Sequence, residues 1–191
     1  RRQRQMCIRD RLIIIQTLTA MKMAVLNKLL EQRAYTDAHT GLPNKDACEE
    51  LLNNKEKVAE HTACLMFDLN NLKIINDTKG HSKGDQLIFN FAHLLRRVIP
   101  QEAFVGRYGG DEFMVVIYNT SKAEIEDILM QLSREKDSLN SRGNDMPIDY
   151  ACGWAISDAD SECTIQMLLD KADYYMYENK QSRKKSKQSL K

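Results

Sequence analysis

Three acidic side chains have the types and spacing that phosphoryl chemistry requires. Asp68 closes the apolar run Ala63-Cys64-Leu65-Met66-Phe67, and Asp111-Glu112 follow Gly109-Gly110 between two strand-like segments. A carboxylate ending a buried strand projects from a sheet edge, and glycines beside the second pair let the backbone come close to a ligand. Acids on neighbouring strand ends suit divalent cations, because Mg²⁺ takes few protein carboxylates and fills its shell with water and phosphate oxygens. Two such ions about 3.5–4 Å apart clamp the attacking and leaving oxygens of an in-line displacement at phosphorus. Each acid alone also reads as a solvated strand-end or turn carboxylate. Their combination carries the weight.

A nucleoside triphosphate in such a site would not be held by a P-loop. Gly80-His81-Ser82-Lys83-Gly84-Asp85 lacks the required G-K-[ST] ending. Its phosphates would fall to metal, lysines and turn amides. Asn76 and Asp85 flank the turn at Gly80 and His81. An amide that donates and accepts, beside a carboxylate that accepts two hydrogen bonds, matches the N1/N2 edge of guanine. The same residue types also occur beside glycine turns for local reasons.

The elements that position these groups follow from periodicity. Residues 6–34 lack Gly and Pro, and Ile14, Leu18, Met21 and Val25, with Leu29 after a stutter, suggest a short coiled-coil-like seam. A helix that packs on its own domain fits the same spacing. Thr40-Gly41-Leu42-Pro43-Asn44 reads as a turn, with Asn44 capping a helix over 45–52. The run ending at Asp68 reads as a central buried strand. A short helix through Lys73 and Ile75 follows, closed by Asn76-Asp77 and Gly80. Leu87, Ile88, Phe91, Ala92, Leu95, Val98 and Ile99 predict an amphipathic helix over 83–99, stopped at Pro100. Segments 103–107 and 113–118 form a hairpin around Gly109-Gly110-Asp111-Glu112. Ile125, Ile128, Leu129 and Leu132 mark a further helix, and Gly143, Asn144 and Pro147 break the chain after it. A strand over 148–157 and a final helix through Ile165, Leu168, Leu169, Ala172, Tyr175 and Met176 complete the order. A layered α/β domain with a mixed or antiparallel sheet is expected.

Composition bounds the function classes. With 191 residues, 42% hydrophobic and 29% charged, the chain suits one soluble domain with an appendage. A formal net charge of +1 gives no overall field that would recruit nucleic acid or an anionic membrane. Basic runs at Arg1, Arg2, Arg4, Arg9 and Arg11, and at Arg183, Lys184, Lys185 and Lys187, read as solvated tails. Cys7, Cys48, Cys64, Cys152 and Cys163 are odd in number and scattered, which suits buried thiols in a reducing compartment. The strongly apolar stretch 12–15 is too short to span a bilayer, so no direct membrane insertion is expected. The chain begins with Arg, and reads as a cytosolic piece of a longer protein.

Four motifs then point to one family. Arg107-Tyr108-Gly109-Gly110-Asp111-Glu112-Phe113 resembles the signature hairpin of GGDEF domains, the diguanylate cyclases. Asp37 to Asn44 (D-A-H-T-G-L-P-N) resembles the family's opening motif D-x-L-T-G-L-x-N. Phe67 to Asp85 resembles its segment D-x-D-x-F-K-x-x-N-D-x-x-G-H-x-x-G-D, and Leu168 to Lys180 its closing helix L-L-x-x-A-D-x-A-L-Y-x-A-K. The resemblance implies an α+β fold like the palm of polymerases and nucleotidyl cyclases, with a central, mostly antiparallel sheet wrapped by helices. It divides the chain into an N-terminal signalling or dimerisation helix (1–35), a catalytic domain (36–182) and a basic tail (183–191).

The resemblance also implies roles. Asp68, the backbone carbonyl of Leu69 and Asp111 would bind Mg²⁺, two ions per site, with Mn²⁺ as a substitute; Asp111 would also assist deprotonation of a 3′-hydroxyl. Asn76 and Asp85 would read guanine, and His81 would line that pocket. Lys73 and Lys180 would contact phosphates, with Gly109 and Gly110 beside the nucleotide. Glu112 would be a second-sphere or metal-site carboxylate. The expected reaction joins two GTP molecules into cyclic di-GMP with release of two pyrophosphates, in a homodimer governed by an upstream sensory domain of the parent protein. No nucleic-acid partner is expected. The location would be cytoplasmic, or the cytosolic part of a membrane-attached receptor. Rivals are a non-catalytic module binding GTP or cyclic di-GMP, against which the intact acids argue, and an enzyme of relaxed base choice, against which Asp85 argues.

Departures from the pattern are specific. Asn70 replaces the second acid of D-x-D, Leu72 replaces Phe, and Gln181-Ser182-Arg183-Lys184 stand where G-R-N is usual. The family's product-inhibition motif, R-x-x-D upstream of the signature, is replaced by Pro100 and Ala103.

Overall fold

The computed structural model describes residues 2–143, 145–158 and 162–188; Asn144, one of the expected chain breakers, lies outside them. The chain forms two compact units, residues 1–36 and 37–191.

The first unit is the helix α1, Arg2–Ala34. Expectation and structure differ here. Ile13, Ile14, Ile15, Leu18, Met21, Met23, Val25, Leu26, Leu29 and Leu30 are all about half exposed, so apolar side chains ring the helix rather than forming one seam. The short apolar stretch is also part of something longer: as one unbroken helix, Ile8–Leu30 has a mean hydropathy of 1.3. By length and composition alone, that segment is long and apolar enough to cross a membrane.

The second unit is built on the strand β1, Ala63–Leu69, all seven of whose residues are buried. A strand covered on both faces reads as a continuous apolar run, which is why its pattern shows no alternation. Strands β2 (Phe104–Arg107), β3 (Glu112–Ile117) and β4 (Tyr150–Ile156) complete a sheet in the order β2-β3-β1-β4. Every pairing is antiparallel.

Side-chain alternation then sorts the core into two layers. Leu65, Phe67, Phe113 and Val115 face one layer with Phe91, Leu95, Ile125 and Leu132. That layer is supplied by α4 (His81–Val98) and α5 (Lys122–Ser141). Phe91 is the centre of an aromatic cluster, its ring 5.0 Å from Phe113, 5.2 Å from Tyr150 and 6.0 Å from Phe67. Such pairs add about 0.5–1.5 kcal/mol each beyond their buried area. Cys64, Met66, Met114, Val116, Ala151 and Ala155 face the other layer with Leu168, Leu169, Ala172 and Met176 of α6 (Ile165–Gln188) and Cys48 and Leu52 of α2 (Lys45–Asn53). Among the described cysteines, Cys48, Cys64, Cys152 and Cys163 form no disulfide; burial pushes the thiols of Cys48 and Cys64 up to about 12.

Local signals account for the helix ends. The Asn44 side chain accepts a hydrogen bond from Ala47 N–H at 3.1 Å, capping α2 as expected. Ser121 and Glu124 form a reciprocal capping box at the start of α5. Between α3 (Leu72–Lys79) and α4, Gly80 at φ 87° ends one helix and begins the next, a conformation other residues rarely adopt. Two expectations shift as a result. Asn76 and Asp77 lie inside α3 rather than closing it, and α4 starts at His81 rather than Lys83. The segment expected as a basic tail from 183 onward is backbone helix through Gln188; its side chains lie outside the described set.

Candidate active site

Sheet register, rather than sequence proximity, assembles the acids. Asp68 lies directly across from Glu112 in the β1–β3 pairing. Both belong to the even-numbered set that faces α6. The turn before Glu112 is tied to the neighbouring strand, since Leu69 N–H donates to the Asp111 carbonyl at 2.8 Å. It is also closed on itself by Tyr108 and Gly109 N–H groups donating to the Glu112 carbonyl at 2.9 and 3.2 Å. Of the two glycines, Gly109 serves a purpose the sequence did not suggest. Neither has a positive φ. A Cβ on Gly109 would lie 2.6 Å from Glu112 Oε2, so this glycine clears space for the Glu112 carboxylate itself.

Lys180 reaches this cluster from α6. Its Nζ lies 2.7 Å from both carboxylate oxygens of Asp68. The helix can deliver it because α6 rests on Gly153 of β4: a Cβ there would lie 2.1 Å from Met176 N and 2.2 Å from the Ala172 carbonyl. Only a residue without a side chain permits that backbone approach. Burial raises the Glu112 carboxyl above its ordinary value, and the negative charges of Asp111, Asp68 and Asp173 raise it further, against a smaller opposing pull from Lys180. Asp173, on α6, is a fourth acid that reading by strand ends could not find. Its signal was the closing-helix motif in which it stands.

Asn70, in place of the motif's second acid, has a structural partner. Its backbone N–H donates to the Asp149 carbonyl at 2.8 Å and its side-chain amide to the Asp149 carboxylate at 3.3 Å. A second carboxylate could not donate to Asp149. Lys73 is exposed on the first turn of α3.

Arg107 and Asp37, quoted in two motifs without a role, form a clamp behind the turn. Arg107 Nη1 lies 3.1 Å from Asp37 Oδ2, and Nη2 donates to the Gly110 carbonyl at 2.9 Å. Arg107 N–H donates to the Pro43 carbonyl at 2.8 Å. Against the desolvation of its half-buried position, hydrogen bonds from Thr40 and the Arg107 guanidinium hold the Asp37 carboxyl below its usual range. A pocket of 520 Å³ opens beside this clamp, lined by Asn44, Lys45, Gly109, Gly110 and Glu112 among others.

A second group forms at the α3–α4 turn. A Cβ on Gly84 would lie 1.9 Å from Asn76 Oδ1, so Gly84 makes room for the Asn76 side chain. That Oδ1 is buried and has no hydrogen-bond partner. An orphaned acceptor of this kind is what an incoming N–H donor needs. Asp85 is half-buried one residue further on, with His39 Nε2 4.0 Å from its carboxylate. His81 is exposed on the first turn of α4. His39 was missed because a histidine in a turn motif has no periodic signature.

The donor set fits a divalent cation brought with phosphates. Among the described residues no three His, Cys, Asp or Glu side chains stand ready as a metal cage. Two carboxylates and a carbonyl suffice when phosphate oxygens complete the shell. The ammonium of Lys180 on both Asp68 oxygens shows that this carboxylate accepts a cation in bidentate fashion.

Comparison with known proteins agrees with this geometry. The profile of the family described as "Diguanylate cyclase, GGDEF domain" matches residues 34–186. "Signaling protein YkoW" of Bacillus subtilis is 32% identical over 167 residues, covering 84% of this chain and 21% of that protein. "Diguanylate cyclase DgcP" of Escherichia coli is 33% identical over 170 residues, covering 84% of this chain and 48% of that protein. The chain therefore spans less than half the length of either relative. The crystal structure of the coiled coil and GGDEF domain of DgcB from Caulobacter crescentus, in complex with c-di-GMP, superposes with a TM-score of 0.76 at 25% identity, covering 89% of this chain and 93% of that one. With a profile match over most of its length and a sheet that places Glu112 of the signature opposite Asp68, the chain belongs to the GGDEF family of diguanylate cyclase domains.

Proposed function

We propose that this chain binds GTP and, as a homodimer, joins two GTP molecules into cyclic di-GMP with release of two pyrophosphates. The observation that carries this reading is the register pair Asp68–Glu112, beside Asp111 and facing Lys180. Asn76 Oδ1 and the Asp85 carboxylate accept the guanine N–H donors, with His81 at the rim. Lys180 and Lys73 hold phosphate oxygens. Asp68, the Leu69 carbonyl and Asp111 hold Mg²⁺ or Mn²⁺, two ions per site, which supplies charge neutralisation at the phosphates.

In the reaction each 3′-oxygen forms a bond to the α-phosphorus of the other nucleotide as the bond to the β-phosphate breaks. Asp111 assists removal of the 3′-proton, and Glu112, with its raised proton affinity, is a second acceptor nearby. Catalysis comes mainly from positioning and electrostatic stabilisation. A single protomer presents one nucleotide, so ring closure requires a partner. The apolar α1 supplies a surface for pairing and a route by which an upstream sensory domain changes it. GTP as substrate places the catalytic unit in the cytoplasm.

The test is incubation of the purified protein with Mg²⁺ and GTP, then with a GTP/ATP mixture, followed by nucleotide chromatography across protein concentrations. Cyclic di-GMP whose specific rate of formation rises with protein concentration supports the reading. GTP binding without a cyclic product would leave a regulatory binding module. Asp111→Ala should lower turnover by roughly 10²-fold or more with the fold intact. Normal turnover in that variant would remove Asp111 from the site.

A further inference from the structure

A second cavity lies at the open edge of the sheet, away from the acids. It has a volume of 230 Å³ and sits where α5, β4 and the last part of α6 converge. β4 is an edge strand, and its Tyr150, Cys152 and Trp154 turn toward the α5 layer. Ser133 and Lys136 of α5 line the opposite wall, and Asn179 of α6 closes the end.

Three features of this wall ask for a ligand of particular chemistry. Asn179 Oδ1 is buried and has no hydrogen-bond partner. Leaving a buried acceptor unpaired is unfavourable, and a donor that enters the cavity relieves it. The motif that Leu168 to Lys180 resembles carries alanine at this position, so the buried amide departs from that motif. Lys136 supplies a cation: its Nζ lies 5.8 Å from the Tyr150 ring centroid, its side chain is only 21% exposed, and Asp137, with which it pairs at 3.4 Å, is itself largely in solvent. Tyr150 and Trp154 supply aromatic surface. For scale, a cavity of about 150 Å³ accommodates benzene.

We propose that this cavity binds a small, flat aromatic molecule that carries a hydrogen-bond donor at one end and an anionic group at the other. The donor pairs with Asn179 Oδ1, the anion with Lys136, and the ring lies against the aromatic wall. The site is independent of the cyclase chemistry proposed above.

Trp154 is the only tryptophan in the chain, so its fluorescence reports on this cavity alone. The probe is 4-aminobenzoate, titrated into the full chain with excitation on the red edge of tryptophan absorption and a free-tryptophan control for inner filtering. Saturable quenching at millimolar or lower concentration is expected. Aniline, without the anion, and 4-methylbenzoate, without the donor, should each bind about tenfold more weakly, the loss of one good hydrogen bond or charge contact. Lys136→Met and Asn179→Ala should weaken 4-aminobenzoate binding to the same degree while retaining wild-type thermal midpoints. Linear, non-saturating quenching would overturn the proposal, as would equal affinity for the three probes. The probe comparison uses the unaltered protein, so it decides the matter even where a variant fails to fold.

Discussion

Lys180 Nζ sits 2.7 Å from each carboxylate oxygen of Asp68, joining residues 112 positions apart in the chain. The ammonium and an incoming cation compete for the same two oxygens. In the proposed complex, Lys180 would turn to phosphate oxygens and Asp68 would hold the metal. Lys180→Gln is expected to lower cyclic di-GMP formation by roughly 10²-fold, in line with the loss of one transition-state charge contact. It should also bind Mn²⁺ more tightly than the wild type without nucleotide, since Asp68 is no longer paired. Turnover assays and Mn²⁺ titration followed by electron paramagnetic resonance check the two halves separately.

Glu112 should make stability depend on pH. Its folded-state pKa is raised, by burial first and then by the charges of Asp111, Asp68 and Asp173. Above its unfolded pKa of about 4.3 the folded state holds the proton more tightly, so this residue's contribution to stability falls as pH rises. Below that pH both states are protonated and the contribution is level. Glu112→Gln removes the charge. Its thermal midpoint should match the wild type near pH 4 and exceed it increasingly toward neutrality, as measured by circular dichroism.

In the proposed reading, Asn76 and Asp85 select the base. Asp85→Ser should leave the guanine N–H donors incompletely paired, weakening GTP binding and relaxing the exclusion of ATP. Sites that satisfy polar groups discriminate strongly because the wrong partner leaves them unpaired. Competition of ATP against GTP in an equilibrium binding assay reads this directly, and an unchanged preference would locate base recognition elsewhere.

Gly153 holds α6 against β4. In Gly153→Ala the new Cβ would collide with the backbone at Met176 and Ala172. The helix must move outward, and overpacking of this kind destabilises by about 1–3 kcal/mol. Urea denaturation should show that loss. Turnover should fall as well, because displacement of Met176 carries Lys180, one helical turn on, away from Asp68.

Product inhibition of the R-x-x-D type should be absent. Pro100 offers no side-chain donor and Ala103 no side-chain acceptor. The arginines nearby are engaged: Arg96 donates to the Gly41 carbonyl at 2.6 Å, and Arg97 pairs with Glu135 at 3.4 Å. Initial rates at saturating GTP are expected to stay nearly constant across a cyclic di-GMP series, apart from competition that added GTP relieves. Potent inhibition insensitive to GTP would reveal a different allosteric site.

The local grammar of this chain was legible without coordinates. Asn44 caps α2, Gly80 separates α3 from α4, and a continuous apolar run ending at Asp68 marks the central strand, because these features depend on turn chemistry and side-chain period alone. The order in which strands lie beside one another, and so the opposition of Asp68 and Glu112, came only with the sheet. The same holds for Arg107 against Asp37, 70 residues away, and for Lys180 against Asp68. Residue types and periodicity supplied both partners of each pair, and the resemblance put Asp68 and Lys180 at one site, but the contacts themselves are set by how helices and strands pack. Gly109 shows the limit most sharply. Its place before the acids suggested room for a ligand, whereas the space it leaves is taken by Glu112, a fact fixed by one carboxylate's position in the folded turn.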